Sequence, residues 1–183
     1  MTQDGWVAER SREFESLRGR RVESWVGVEM ALREDVTGHG AQFVDPEVPC
    51  LQLIRLHATL EDGSTMGVTT YQDDAEFGLR ACPGAQVLDA DRWAGIYRWR
   101  PLTELPVGQV DEVTVFVDDC VLAEVGLRIG ARPLLLIAAE LAETPTGRLS
   151  FRRLDESILA FTDPASANQV PWATARPAEW SCG

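Results

Sequence analysis

The feature that most constrains the fold of this chain is an apolar alternation with a period of two in residues 113–129. Valines alternate with other residues from Val113 to Val117, and a similar alternation runs from Val121 to Ile129. A period of two puts every second side chain on the same face of a β-strand. Asp118-Asp119 between the two runs is a plausible turn, so the region predicts an antiparallel hairpin.

A second hairpin is predicted around Asp62-Gly63, which separates the apolar runs Leu51 to Leu60 and Met66 to Tyr71. Both turn residues tolerate a positive φ, which the tight turns of hairpins require. Within the first run the apolar phase slips between Leu53 and Ile54. This slip predicts a β-bulge, because one extra residue exchanges the two faces of a strand.

The rest of the chain adds one helix and several further strands. Residues 4–18 predict an amphipathic helix that ends at Gly19, with Trp6, Val7, Phe14 and Leu17 near one face. Residues 22–32 alternate as a strand, residues 34–49 are expected to form a loop, and residues 77–81 form a short strand. The apolar run 133–142 is a strand or a short helix, and shorter strands are expected at 149–151 and 158–161.

These elements predict an α+β fold, with a mostly antiparallel β-sheet and an N-terminal amphipathic helix. The chain has 183 residues, 45% of them hydrophobic, which is enough for one core without disulfides or metals. We expect a single domain over residues 1–163. Residues 164–183, which contain three prolines together with Trp172 and Trp180, are expected to form an extended C-terminal tail.

The expected location is the cytoplasm, with no membrane attachment. The longest apolar stretch, 133–139, is far shorter than the roughly 20 residues that cross a bilayer, and the N-terminus lacks the pattern of a secretory signal. The four cysteines lie far apart and form no C-x-x-C pair. Neither a zinc site nor a disulfide framework is therefore expected.

The negative charge is concentrated in the middle of the chain. Residues 34–124 hold seventeen acids and five arginines. Each of the two flanking segments carries six acids and six arginines, so the net charge of −12 comes entirely from the middle of the chain. Such a block repels nucleic acid and favours a partner with a basic surface. The alternative is that the acids form a solvated face that only confers solubility.

The chain contains no lysine, and this excludes several kinds of chemistry. All seventeen basic residues are arginine. Schiff-base formation, pyridoxal phosphate anchoring and the lysine of a phosphate-binding loop each need a primary amine. The glycines form no G-x-G-x-x-G after a strand, and no G-x-S-x-G motif is present, so no cofactor is expected.

Two groups of residues are the candidate binding residues. The acidic group could steer a basic partner, although its Asp pairs could instead hold a divalent cation, a weaker interpretation because such pairs recur by chance in acidic sequences. The aromatic group has the residue types of binding hot spots, but it could equally belong to the core. The candidates are Asp73, Asp74, Glu76, Asp89 and Asp91 in the acidic group, and Trp93, Tyr97 and Trp99 in the aromatic group.

His39 and His57 are the only histidines, so any histidine-based catalysis must use one of them. His39 lies between two glycines on the predicted loop, and His57 lies in the strand 51–60. Either side chain could act as a general base. An ordinary surface or cross-strand role is the simpler interpretation of both.

The leading hypothesis is a non-catalytic acidic binding protein that masks a basic protein surface, as an intracellular inhibitor or immunity protein would. The alternative is a small enzyme or ligand carrier with a pocket in its β-sheet, in which His57 or His39 works with nearby carboxylates. A third possibility is a structural subunit that pairs through its sheet edge or its tryptophan tail. The sequence leaves the oligomeric state, the partner and the presence of any catalysis open.

Overall fold

The computed structural model describes residues 3–34, 38–86, 89–118 and 120–171. The helix α1 spans Gln3–Glu15, a short 3-10 turn spans Ala90–Arg92, and α2 spans Pro164–Ala167. The strands are β1 Arg21–Met30, β2 Leu51–Leu60, β3 Thr65–Asp73, β4 Glu76–Pro83, β5 Tyr97–Pro101, β6 Gly108–Asp118, β7 Val121–Ile129, β8 Arg132–Glu143 and β9 Leu149–Phe161.

All the strand pairings are antiparallel, and the strands follow the order β4-β3-β2-β9-β8-β7-β6-β1-β5. A further pairing joins β1 to β2. Six strands therefore form a closed ring of pairings, in the order β2-β9-β8-β7-β6-β1 and back to β2. Strands β3 and β4 extend the sheet from β2, and β5 extends it from β1. The expected mostly antiparallel sheet with a short N-terminal helix is therefore confirmed. In and after that helix, Val7, Phe14 and Leu17 are buried, and Trp6 is half-buried.

Both predicted hairpins are present. Gly63 has a φ of 78° and donates its backbone N–H to the carbonyl of Leu60, which closes the turn between β2 and β3. Asp118 pairs with Val121 across the end of the β6–β7 hairpin. Asp119, the second residue of that predicted turn, lies outside the described residues.

The β-bulge predicted in β2 is also present. Glu29 pairs with Leu53 and Val28 pairs with Arg55, which leaves Ile54 as the extra residue. Leu53 and Leu56 both belong to the main core, although they are three positions apart, because the extra residue shifts the phase of the strand.

The apolar run 133–142 lies in a strand, β8, that is buried on both faces. Leu134 and Leu136 pack into the main core cluster, whereas Leu135 and Ile137 pack into a second cluster on the opposite face. Burial on both faces removes the polar half of the usual alternation. This is why the sequence pattern did not distinguish a strand from a helix here.

Strand β9 is one element of 13 residues, where the sequence predicted two separate strands. Ala138 pairs with Ile158 and the next residue, Ala139, pairs with Arg153, so residues 154–157 bulge out of the ladder. Leu154, at the start of this β9 bulge, has a φ of 55° and is buried. The polar residues between the two apolar runs therefore interrupt the pairing without ending the strand.

The second core cluster lies between the outer face of β8 and β9 and the segments that cover it. Ala167 and Val170, in and after α2, belong to this cluster, as does Leu32. Residues 164–171 are the described part of the predicted tail and begin with that one-turn helix. Trp172, Trp180 and the rest of the predicted tail lie outside the described residues. No helix in the described part of the chain is long and apolar enough to cross a membrane.

Candidate functional site

Three of the predicted acidic residues lie at the tip of the β3–β4 hairpin. Asp73 and Glu76 face each other as the last pair of the ladder. Asp74 occupies the turn with a φ of 53°, a conformation that Asp adopts more easily than most residues. Gln72 holds this turn, because its Nε2 donates to the carbonyl of Asp74 at 3.0 Å. Asp74 and Glu76 form no ion pair with any described residue.

Asp89 and Asp91 lie beyond the other end of that hairpin. Strand β4 has eight residues and separates the tip from Pro83 by about 25 Å. The Asp89 carboxylate accepts the backbone N–H of Asp91 at 3.2 Å and caps the 3-10 turn. The five acidic candidates therefore belong to two different elements, the β3–β4 tip and the 3-10 turn.

The β9 bulge places further carboxylates near the hairpin tip, and the sequence analysis missed them. Thr70 Oγ1 donates to the carbonyl of Glu156 at 2.6 Å, so the bulge contacts β3 three residues before Asp73. Burial raises the pKa of Glu140, and the neighbouring carboxylates of Asp155 and Glu156 raise it further. No local sequence signal shows that Glu140, Asp155 and Glu156 lie close together, because their proximity depends on the size of the β9 bulge.

The aromatic candidates lie on and before β5, a terminal strand of the sheet. Trp93 and Tyr97 form an edge-to-face pair with their ring centroids 5.8 Å apart. Trp99 pairs with Val28 of β1 in the ladder. All three aromatic residues are half-buried, and the indole nitrogens of Trp93 and Trp99 are buried without a hydrogen-bond partner among the described residues.

The arginines between these aromatic residues bind a buried carboxylate. Glu29 is only 2% exposed, and its Oε2 accepts from Nε of Arg98 at 2.8 Å and from Nε of Arg100 at 2.9 Å. Arg100 also binds Glu104, and its hydrogen bonds to Glu104 and Glu29 raise its pKa. The Arg98 guanidinium lies 4.4 Å from the ring centroid of Phe43.

Glu29 is buried, although a charged residue that alternates with the apolar Val28 and Met30 is expected on the solvent face of a strand. Residues of β5 cover that face and supply the two guanidinium groups. Because strand pairs distant in the chain create this site, the pattern of β1 alone did not reveal it.

The two histidines have different environments. His57 is 4% exposed, and its Nδ1 has no hydrogen-bond partner in the described part of the chain. Burial lowers the pKa of His57, and the charge of Arg55 lowers it further. Gly67 faces His57 across the ladder, and a Cβ at Gly67 would lie only 3.4 Å from Cε1 of His57. His39 is exposed in the loop after β1.

The described cysteines differ in accessibility. Burial raises the pKa of the Cys50 thiol to about 12, whereas Cys120 is exposed. Within the described ranges, no group of three or more His, Cys, Asp or Glu side chains is placed to hold a metal ion.

Described residues line a cavity of about 240 Å³ and another of about 190 Å³. The larger lies against the second core cluster, between β8, β9 and the segment after β1. The smaller lies beside Cys50 and Leu105. Neither histidine and none of the eight candidate binding residues lines either of these two cavities.

Comparison of the chain with protein-family models, with curated proteins and with solved structures finds no match.

Proposed function

We propose that this protein is a non-catalytic binding protein that masks a basic surface of another protein, in the manner of an intracellular inhibitor or immunity protein. The surface that supports this proposal is an acidic ridge formed by the β3–β4 tip, the β9 bulge and the neighbouring position of β8. The ridge consists of Asp73, Asp74, Glu76, Glu140, Asp155 and Glu156.

The observation that carries the proposal is the contact of the β9 bulge with β3 near the hairpin tip, where Thr70 Oγ1 donates to the carbonyl of Glu156 at 2.6 Å. Burial raises the pKa of Glu140 on the neighbouring strand, and Asp155 and Glu156 raise it further, which is consistent with a negative potential at this surface. Arg152 offsets only part of this effect. A cationic group of a partner would lower the cost of keeping these carboxylates ionised, and electrostatic complementarity of this kind accelerates encounter.

The enzyme or ligand-carrier alternative has less support. It needs His57 or His39 at a pocket beside carboxylates, whereas His57 lies in the sheet facing Gly67, and His39 is exposed on a loop. Arg55 is the one charge that contributes to the pKa shift of His57, and it is a cation. A general base normally works beside an acidic or hydroxylic group.

The test begins with capture of the partner from the native host and measurement of its association rate by stopped flow. In the tip variant Asp73→Asn/Asp74→Asn/Glu76→Gln, association should be about tenfold slower at low salt and less sensitive to salt, because steering charges are lost. The melting temperature should change little, since exposed charges contribute less than about 1 kcal/mol per pair.

A matched control removes three exposed acids that belong to α1, β1 and β6 and not to the ridge, Glu15→Gln/Glu23→Gln/Asp111→Asn. This control changes the net charge by the same amount, so equal slowing in both variants would contradict a localised ridge. The pair Asp89→Asn/Asp91→Asn tests whether the second acidic group also belongs to the recognition surface. Association that is indifferent to all three variants would contradict the proposed function.

A further inference from the structure

The larger cavity, of about 240 Å³, has the composition of a small-molecule site. One wall is apolar and consists of Val48, Leu141, Leu149 and Phe151. Small-molecule sites combine such walls with a few polar groups that orient the ligand, and the pockets that hold drug-sized ligands have volumes of about 300–1,000 Å³. This cavity therefore suits a ligand somewhat smaller than a drug molecule.

One charged pair in the lining is already satisfied and forms part of the wall. Arg33 Nη1 donates to Asp45 Oδ2 at 2.7 Å, and both side chains are mostly buried. Arg33 Nε also lies 3.6 Å from Glu143 Oε1. The hydrogen bond from Arg33 lowers the pKa of Asp45, so this pair stays ionised and holds the segment after β1 against the β8–β9 hairpin.

Two other charged residues of the lining have no such partner. The carboxylate of Glu47 and the guanidinium of Arg148 form no hydrogen bond or ion pair with another described side chain, and both residues are exposed. The lining holds two arginines and two acids, so its formal charge is zero. A neutral lining with one unpaired group of each sign suits a ligand that also carries both signs.

We propose that this cavity binds a small zwitterion with an apolar body, namely an α-amino acid with an aliphatic side chain. The ligand carboxylate pairs with the Arg148 guanidinium, whose planar fork suits bidentate binding. The ligand ammonium pairs with Glu47, and the side chain lies on the apolar wall of Leu149 and Phe151. This site goes beyond the proposed function, because the acidic ridge shares no residue with it.

The test is a titration of the ¹⁵N-labelled protein with L-leucine, followed by NMR shifts of the Gly147, Arg148 and Leu149 amides. We expect saturable shifts with a dissociation constant in about the millimolar range, as for a ligand of few atoms. L-Leucinamide lacks the carboxylate, N-acetyl-L-leucine lacks the ammonium group and glycine lacks the apolar body. Each should bind at least about tenfold more weakly, since each loses one of the three contacts.

Arg148→Gln and Glu47→Gln should each weaken L-leucine binding by about tenfold or more. The matched control is Arg152→Gln, an exposed arginine of β9, four residues after Arg148, that does not line the cavity and should leave binding unchanged. The proposal is overturned if L-leucine gives no saturable shifts, if either capped ligand binds as tightly, or if Arg152→Gln has the same effect as Arg148→Gln.

Discussion

At the scale of single residues, Glu29 and His57 tolerate burial by opposite means. Glu29 lies between two guanidinium groups, and Arg98 Nη2 lies 2.6 Å from its Oε2. A paired carboxylate of this kind escapes most of the cost of burying a lone charge. His57 has no partner for Nδ1 among the described residues, and burial favours its neutral form. The two residues therefore make different contributions to stability.

Glu29→Gln should lower the free energy of unfolding by about 1.5–3 kcal/mol, the range for hydrogen bonds to charged groups. The neutral amide of Gln cannot replace the negative charge to which Arg98 and Arg100 donate their hydrogen bonds. Chemical denaturation measures the change. Glu104→Gln is the control, because its carboxylate is more exposed and should contribute less than about 1 kcal/mol. Equal losses in both variants would contradict this account of Glu29.

His57 should make the folded protein less stable as the pH falls below about 6.5. The pKa of His57 is lowered by folding, so the unfolded chain binds a proton in a pH range where the folded chain does not. Its contribution to stability is therefore present above the unfolded pKa and is lost as the pH falls through the folded pKa.

The measurement compares denaturation at pH 7.5 and pH 5.5. The loss of stability between these two pH values should be smaller in His57→Gln than in the natural protein. His39→Gln, at an exposed position, should keep the full loss. If the loss is unchanged in His57→Gln, titration of His57 does not couple to folding.

At the scale of elements, Gln52 joins two parts of the molecule that no strand pairing connects. This side chain is 3% exposed. Its Oε1 accepts the backbone N–H of Leu141 at 2.6 Å, and its Nε2 donates to the carbonyl of Ala31 at 3.4 Å. A buried amide with both ends bonded satisfies backbone groups that would otherwise lack partners. Gln52 thereby holds β2 against β8 and the end of β1.

Gln52→Leu should lower the free energy of unfolding by about 1–3 kcal/mol, because the N–H of Leu141 is left buried without an acceptor. Denaturation measures the loss, and hydrogen exchange should show faster opening at Leu141. The control is Gln72→Leu, since Gln72 is exposed and its side chain donates to the turn at Asp74. A loss no larger than in the control would mean that the bond to Leu141 contributes little.

At the scale of the whole molecule, half of the arginines in the described ranges, eight of sixteen, are paired with acids. Arg10, Arg20 and Arg33 each bind a carboxylate, and the same holds for five others. The other five are Arg92, Arg98, Arg100, Arg128 and Arg153. Paired guanidinium groups contribute little to a basic surface, so the net charge of −12 dominates the outer field.

The protein should show no measurable binding to duplex DNA at physiological salt. Binding to DNA depends on clustered cationic groups that replace the counterions of the phosphates, whereas this chain has a net charge of −12 and half of its described arginines are already paired with acids. Fluorescence anisotropy with a labelled duplex measures this directly. Tight binding that weakens steeply with salt would show that the arginines form a basic patch despite their pairing.

Turns and strand patterns were determined by the sequence itself because their causes are local. Gly63 supplies the positive φ of the β2–β3 turn, and the phase slip at Ile54 marks the bulge. Alternating valines on both sides of Asp118 predicted the β6–β7 hairpin, since the period of a strand is visible in a few residues. These signals were enough for a mostly antiparallel fold with an N-terminal helix.

Only the tertiary structure decided which charges are buried, which are brought together and where a cavity forms. Glu29 and Arg98 are 69 residues apart in the chain, and Thr70 and Glu156 are 86 apart. No local pattern encodes such contacts, because they depend on strand order, register and the size of the β9 bulge. The acidic ridge and the cavity beside Arg148 both arise from such distant contacts. For this physical reason, the sequence alone did not show which residues form the ridge or which line the cavity.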